Sequence, residues 1–519
     1  MKKSFLQFRN NRYKNRPTGF TIVEIIVVIV VIGILATVTA VSYSGWNKRI
    51  IETQIKSDLK GAASAMESYR NFNNNYPDSI PSSFEPSQDV VLSGGGLGDG
   101  AEYCIDASSL KDSSIQYYID QDYGKDPQVG TCASRPKKWA KIVTGANHTC
   151  GITTIGKGYC WGSNTYGGLG NNSTTNSSIP VAIDDSGVLS GKTLKDIIAG
   201  NNYTCAIASD GVAYCWGRNN YGQLGDGTYV DKKVPTAVLM SGVLSGKRLV
   251  SLAASGGAEH TCAIASDQRA YCWGRNNYGQ LGNNSTSDSS SPVAVFYSGA
   301  LINKTIKSIS TAGTMGHTCV VASDQQAYCW GGLLGDGTTN ISYVPVPVLR
   351  SGLLAGKTIL DISTGDNNIC VIASDGFLYC WGSNSTGAVG DGTLVDRLVP
   401  TAVDRSGALG EKKLLKVYAG GGNKGHTCAI TSNSIYCWGY GGLGELGNGS
   451  NANSSVPVAI SQSGVLSGKN MVSLSVGADH ACAITSEKYS YCWGWGGDGQ
   501  LGNGANAMSL VPVRVSEPI

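Results

Sequence analysis

The sequence predicts a long N-terminal α-helix with a small α+β head, followed by an all-β region of seven repeated units. Three observations carry that prediction. Residues 20–41 form an apolar run with one acid, Glu24, and no proline falls between Phe20 and Tyr76. Residues 77–138 are rich in Ser, Gly, Pro and Asp, with only short apolar runs. From Trp139 the chain repeats itself, the first cysteine of each unit standing at Cys150, Cys205, Cys262, Cys319, Cys370, Cys428 and Cys482. A period of about 55 residues signals a repeat architecture.

The apolar run is long enough, at about 1.5 Å per helical residue, to cross a hydrocarbon core of about 30 Å. Six basic residues and no acid precede it (Lys2, Lys3, Arg9, Arg12, Lys14 and Arg16). The positive-inside bias therefore leaves residues 1–19 in the cytoplasm and exports everything after the span. No small-x-small cleavage site follows a short apolar core, so the segment reads as retained rather than as a discarded signal peptide. A carboxylate within lipid is costly, which makes Glu24 a functional candidate in need of a partner.

The run Gly19-Phe20-Thr21-Ile22-Val23-Glu24 resembles the class III signal of type IV pilins and pseudopilins. That resemblance implies a prepilin peptidase that cuts after Gly19 and methylates the new N-terminus at Phe20. It also implies that Glu24 pairs with the terminal amine of a neighbouring pilin subunit. The chain would sit first in the cytoplasmic membrane, in contact with lipid and with its C-terminus outside, and then in a surface fibre.

Beyond the span, Ile51, Ile55, Leu59, Ala62, Met66 and Tyr69 recur at helical steps, and Glu52 and Lys56 stand at an i,i+4 spacing. The helix is therefore expected over residues 20–76, ending in the turn formers of 71–77. The stretch from Asp58 to Pro77 again resembles the helix-to-head transition of type IV pilins. Residues 77–138 are expected to form the small head, closed by a Cys104–Cys132 bridge worth roughly 3–4 kcal/mol on the loop-entropy argument.

Charge limits the function classes. The formal net charge is +3, but the leader holds the excess, and its removal leaves the chain weakly acidic. A phosphate-tracking surface is not supported, so nucleic acid is not an expected partner. Sixteen cysteines in an exported chain make disulfides the default.

Within each repeat, runs such as T-C-A-I-A and A-Y-C-W-G flank Ser-Asp-Gly or an equivalent, the chemistry of a three-residue hairpin loop. Centring the loop of unit two on Asp210 sets Cys205 opposite Cys215. The same logic pairs Cys150 with Cys160, Cys262 with Cys272, Cys319 with Cys329, Cys370 with Cys380, and Cys482 with Cys492. In the sixth unit Cys428 and Cys437 are closer by one residue, and a two-residue turn at Ser432–Asn433 preserves the pairing. A second echo, S-G-V-L-S-G-K at Ser186, Ser241 and Ser463, alternates with the first.

The combination G-x-x-H-T-C-A-I, C-W-G-x-N-x-Y-G-Q-L-G-x-G and P-V is similar to the repeat of the regulator of chromosome condensation family, across about Trp139 to Val515. The resemblance implies a seven-bladed β-propeller of four-stranded sheets. It further implies that chain ends mix in one blade, with residues 512–515 beside 141–144. The seven C-W-G tryptophans, Trp161 to Trp493, are expected to pack between blades. Units also differ: unit four is short after its C-W-G, unit six inserts residues before His426, and Gly168 replaces a Gln. Such changes belong in rim loops, where binding surfaces occur.

All five histidines, His148, His260, His317, His426 and His480, share one repeat position and are expected to be structural rather than metal ligands. L-G-D-G-T at 224–228 reads as a turn, not a calcium loop. No catalytic site, cofactor or metal is expected. The expected function is a minor type IV pilin carrying an extracellular propeller that binds a protein, glycan or surface in adhesion. The word minor follows from width: a head about 50 Å across cannot decorate every helix of a tight fibre. Two alternatives are a surface-anchored propeller that binds or inhibits a soluble protein, as a bacterial β-lactamase inhibitor similar to this repeat family does, and a surface enzyme. Guanine-nucleotide exchange conflicts with export.

Overall fold

The structure, a computed structural model, describes residues 21–97, 102–121, 126–132, 138–313, 316–422 and 424–517, apart from the side chains of 39–43. Two compact units divide the chain, Met1–Arg135 and Pro136–Ile519.

In the first unit, helix α1 covers Ile22–Asn73. Thr21 caps it, and Asn74 closes it in the left-handed region, where its short amide side chain is tolerated. Among the described residues no helix is long and apolar enough to cross a membrane. The expected span includes Phe20 and residues 39–41, which lie wholly or in their side chains outside the described set. The described part, Ile22 to Val38, is apolar apart from Glu24 and Thr37 and exposed all round.

The second half of α1 buries one stripe, Ile55, Leu59, Ala62, Ala63 and Met66, against Tyr103, Ile105, Tyr117 and Ile119. The stripe ends earlier than expected. Tyr69, at the margin of the stripe, is exposed, and Ala63, at its other margin, takes a place in the core. Lys56 lies 4.6 Å from the Tyr117 ring centroid, and the expected pair with Glu52 is absent from the ion pairs of the described residues. An antiparallel meander forms the head sheet: β1 (Val90–Leu97), β2 (Glu102–Ser109), β3 (Gln116–Asp120) and β4 (Gln128–Val129). Cys104 and Cys132 are bridged.

The second unit is a ring of seven four-stranded antiparallel sheets, each made of consecutive strands. In the second blade these are Leu194–Ala199, Tyr203–Ala208, Ala213–Gly217 and Lys232–Ala237, from the axis outward. One correction follows for closure. Ser509–Arg514 pairs within the seventh blade, and Trp139–Thr144 within the first, so chain ends do not share a sheet. Every repeat begins at an inner strand and contains all four strands, so both terminal blades are already complete. Closure is instead by packing: Trp139, Ile142 and Trp161 bury against Ile484, Leu501 and Val515. Thr144 N–H also donates to Ser475 Oγ at 3.0 Å.

Local chemistry explains the repeat. Gly211 adopts a positive φ of 77° as the hairpin's left-handed residue, and Ala208 N–H donates to Val212 O at 3.0 Å. Counting back from that hydrogen-bonded pair puts Cys205 and Cys215 at a narrow, non-hydrogen-bonded site. Their Cα atoms are 4.0 Å apart and they are bridged. In the sixth blade Thr431 N–H donates to Ser434 O, which leaves the two-residue turn and the Cys428–Cys437 bridge. The other five expected blade pairs are bridged in the same way. The proline of each P-V motif sits on an outer strand, where its missing N–H blunts an unpaired edge.

The second echo also has a structural role. Leu244 of S-G-V-L-S-G-K is fully buried between blades. The lysine that ends each echo reaches the following blade's hairpin. Lys192 Nζ donates to Tyr214 OH at 2.5 Å, and Tyr214 OH donates to Asp210 Oδ2 at 2.8 Å. Lys357, Tyr379 and Asp375 repeat the arrangement.

Candidate binding face

The expected site residues fall into three groups. Gly19 and Phe20 lie outside the described residues. Glu24 closes a capping box, its carboxylate accepting from Thr21 N–H and Oγ1, both at 2.8 Å. All sixteen cysteines are paired as expected.

The histidines staple neighbouring blades. His148 Nε2 meets Thr204 Oγ1 at 2.8 Å, His260 meets Thr318 at 2.8 Å, and His480 meets Thr149 across the ring closure at 2.7 Å. Each of these threonines also donates to a carbonyl that accepts from a C-W-G tryptophan. Gly168 O, for example, accepts from Thr204 at 2.8 Å and from Trp216 Nε1 at 2.9 Å. Two histidines lack the staple because the next blade has lost the threonine: Ile369 faces His317, and Ala481 faces His426. The Nε2 atoms of both are buried without a partner. Ala481→Thr is therefore expected to supply a partner for His426 and raise stability by about 1 kcal/mol, read as a higher urea midpoint. An unchanged midpoint would show that His426 cannot reach the new hydroxyl.

Strand direction gives the ring two unlike faces. One carries the hairpins and the blade-to-blade linkers. The other carries the long loops after each C-W-G, and this is where the repeats differ most. Asn219 holds such a loop from inside, its Oδ1 accepting from Leu224 N–H and its Nδ2 donating to Thr228 O and Val230 O. Asp226 accepts from Thr228 N–H at 2.9 Å and Oγ1 at 2.8 Å, the geometry of an Asx turn.

On this long-loop face the first three blades build a ladder of alternating rings and cations. The Arg218 guanidinium lies 5.5 Å from the Tyr166 ring centroid and 5.8 Å from that of Tyr221. Arg275 lies 5.1 Å from Tyr221 and 5.9 Å from Tyr278. Glu259 pairs with both arginines and fixes their spacing. Periodicity conceals the ladder, since its Tyr166–Arg218 and Tyr221–Arg275 steps each span about one repeat; what could have found it is Arg at 218 and 275 where Ser163, Gly332 and Ser383 stand in other units.

Two acids also break the repeat here. Glu445 occupies the position of Gln223, is fully buried, and leaves Oε1 without a partner; burial pushes its carboxyl up to about 7. Desolvation also raises the neighbouring Asp479. At the axis, Asp366 accepts from Gly313 N–H and Gly422 N–H, both at 2.7 Å. A Cβ at Gly257 would lie 2.0 Å from its carboxylate, so only glycine allows these loops to converge. Below them the inner strands enclose a cavity of about 460 Å³ lined in part by Lys141, Asp361, Lys416 and Ser473.

Taken together, the fold and the face define a disulfide-stapled repeat propeller that follows, in chain order, an exposed apolar helix. The chain belongs to the regulator of chromosome condensation family: the Regulator of chromosome condensation (RCC1) repeat matches residues 156–207, 210–264, 267–321, 375–430, 432–484 and 490–519. The Prokaryotic N-terminal methylation motif matches residues 14–40. The Ultraviolet-B receptor UVR8 of Arabidopsis thaliana is 33% identical over 62% of this chain and 70% of its own length. Human E3 ubiquitin-protein ligase HERC2 is 27% identical over 61% of this chain, which spans only 6% of that protein. Among solved structures, human WBSCR16 matches 70% of this chain and 95% of its own at 20% identity and a TM-score of 0.60. Prp20p of Saccharomyces cerevisiae matches 67% and 83% at 22% identity and 0.55.

Proposed function

We propose that this chain is a minor type IV pilin or pilin-like fibre subunit whose propeller is an extracellular adhesion head, acting by binding rather than catalysis. The methylation motif at residues 14–40 supports the pilin half of this reading. The Tyr166–Arg218–Tyr221–Arg275–Tyr278 ladder supports the binding half, because Tyr and Arg dominate the energetic centres of protein interfaces. A protein partner also agrees with Prp20p, whose binding to Gsp1p and histones is described with its structure.

In this reading the prepilin peptidase releases residues 1–19, lipid holds the helix, and Glu24 then pairs with a neighbouring subunit's amine. Mass spectrometry of the surface protein is expected to show an N-methylated Phe20 at its terminus. Glu24→Ala is expected to leave membrane insertion intact and lower fibre incorporation; normal surface display would count against the scheme. Arg218→Ala/Arg275→Ala is expected to reduce cell adherence about tenfold or more, as loss of two central arginine anchors does, with display unchanged. Even decoration of the whole shaft by a propeller-directed label would refute the minor position. Because the ladder suits a protein, a surface-held propeller that captures a soluble protein is the second reading; tight recovery of one secreted protein would favour it.

A further inference from the structure

We propose that the linker face of the propeller is a docking surface for an anionic lipid bilayer. The proposal rests on the membrane-anchored stage of the function above, and its evidence lies on the face opposite the ladder.

Charge is segregated between the faces. Residues 139–519 hold 24 basic and 23 acidic side chains, a near balance that hides a strong asymmetry. Assigned by the strand ends and loops that carry them, eighteen of the basic but only twelve of the acidic residues lie on the linker face. The long-loop face keeps six basic and eleven acidic ones. Lys195 and Lys307, second residues of the inner strands of blades two and four, are exposed and have no ion-pair partner among the described residues. Lys413, beside the inner strand of blade six, is exposed in the same way.

The same face also exposes aliphatic side chains in two rings. Val250, Leu360, Leu415 and Val472 share the repeat position of Lys195, and they are 50–64% exposed. Ile302 and Leu353, on the linkers, are 56% and 49% exposed. Repetition makes these rings level, since equivalent residues of seven similar blades stand at one height along the axis. A level surface that mixes exposed aliphatics with unpaired lysines matches the two components of interfacial membrane binding, apolar burial and attraction to anionic headgroups. A soluble polyanion would use the lysines but leave the aliphatic rings in water. Trp139, the first residue of the first inner strand, starts on this face.

The test uses the full chain with vesicles of phosphatidylcholine alone or mixed equally with phosphatidylglycerol, and reads flotation and amine labelling of single lysines. Flotation with both vesicles reports the helix anchor. Docking is expected to protect Lys195, Lys307 and Lys413 about threefold in anionic vesicles only, with loss of protection in high salt. Lys233 and Lys424, exposed on the long-loop face, are expected to label equally in both. Lys195→Glu/Lys307→Glu should abolish the protection of Lys413, the remaining reporter, without changing flotation. Equal labelling of all five lysines in both vesicles overturns the proposal, as does protection that is the same in neutral lipid, which would point to contact with protein. If the chain fails to float with neutral vesicles, the anchor reading fails; salt-sensitive flotation with anionic vesicles then still supports docking, and its absence overturns it.

Discussion

Reduction of the seven blade disulfides is expected to unfold the propeller, but only after the blades have opened. Each closes a short hairpin and contributes roughly 2–3 kcal/mol on the chain-entropy argument, so together they amount to on the order of 15–20 kcal/mol. That exceeds the usual net stability of a domain, about 5–15 kcal/mol. Access is the second half of the prediction. Every blade cysteine is fully buried, and each bridge packs against the tryptophan of the next blade, as Cys205 and Cys215 do against Trp273. In the head, by contrast, Cys132 is partly exposed. Native protein held in a reductant and then alkylated should therefore lose Cys104–Cys132 first, with the blade pairs retained. The same reductant in moderate urea should release all seven and prevent refolding. Equal alkylation of blade and head cysteines under native conditions would show that the blades breathe independently.

Acid is expected to destabilise the propeller steeply below about pH 6.5. Burial lowers His148 and His426 to about 4, and His260, His317 and His480 to about 3, from an ordinary value of 6.5. The unfolded chain thus binds protons that the folded chain refuses. Stability is fully present above pH 6.5 and is lost as the pH falls towards the folded values. At about 1.4 kcal/mol per pH unit for each group, the loss by pH 5 is about 2 kcal/mol per histidine. Glu445 works in the opposite sense. Its folded value is raised from 4.5 to about 7, so it costs stability as the pH rises through that window. Glu445→Gln restores the residue found at Gln223 and Gln280 and should remove that alkaline loss, about 3 kcal/mol at pH 8. Urea unfolding midpoints measured from pH 4.5 to 8.5 test both. A profile that stays flat below pH 6.5 would show that the histidines take up protons without unfolding.

These effects separate two kinds of information in the chain. Cys428 and Cys437 illustrate what was legible. A missing loop residue shortens the spacing, the turn contracts to two residues, and the pairing survives, because hairpin register is set over about ten residues by turn chemistry. The number of blades and the helix are local in the same way; the Thr21 cap that starts the helix is a finding of the structure. His426 illustrates what was not. Its repeat position is that of His260, yet its Nε2 is unpartnered because Ala481, in the next blade, has replaced a threonine.

The sequence by itself therefore determined the repeat count, the sixteen cysteine partners, the methylation signal and the order of helix, head and propeller. Tertiary structure alone decided that the ring closes through two complete blades and that Tyr166, Arg218, Tyr221, Arg275 and Tyr278 form one ladder. It also decided that Glu445 is buried and that a nearly neutral domain has a basic face and an acidic one. The physical reason is the range of the interactions: turns and cross-strand pairs act between near neighbours in the chain, whereas the staples, the ladder and the faces arise from residues a full repeat apart, brought together only when the blades pack.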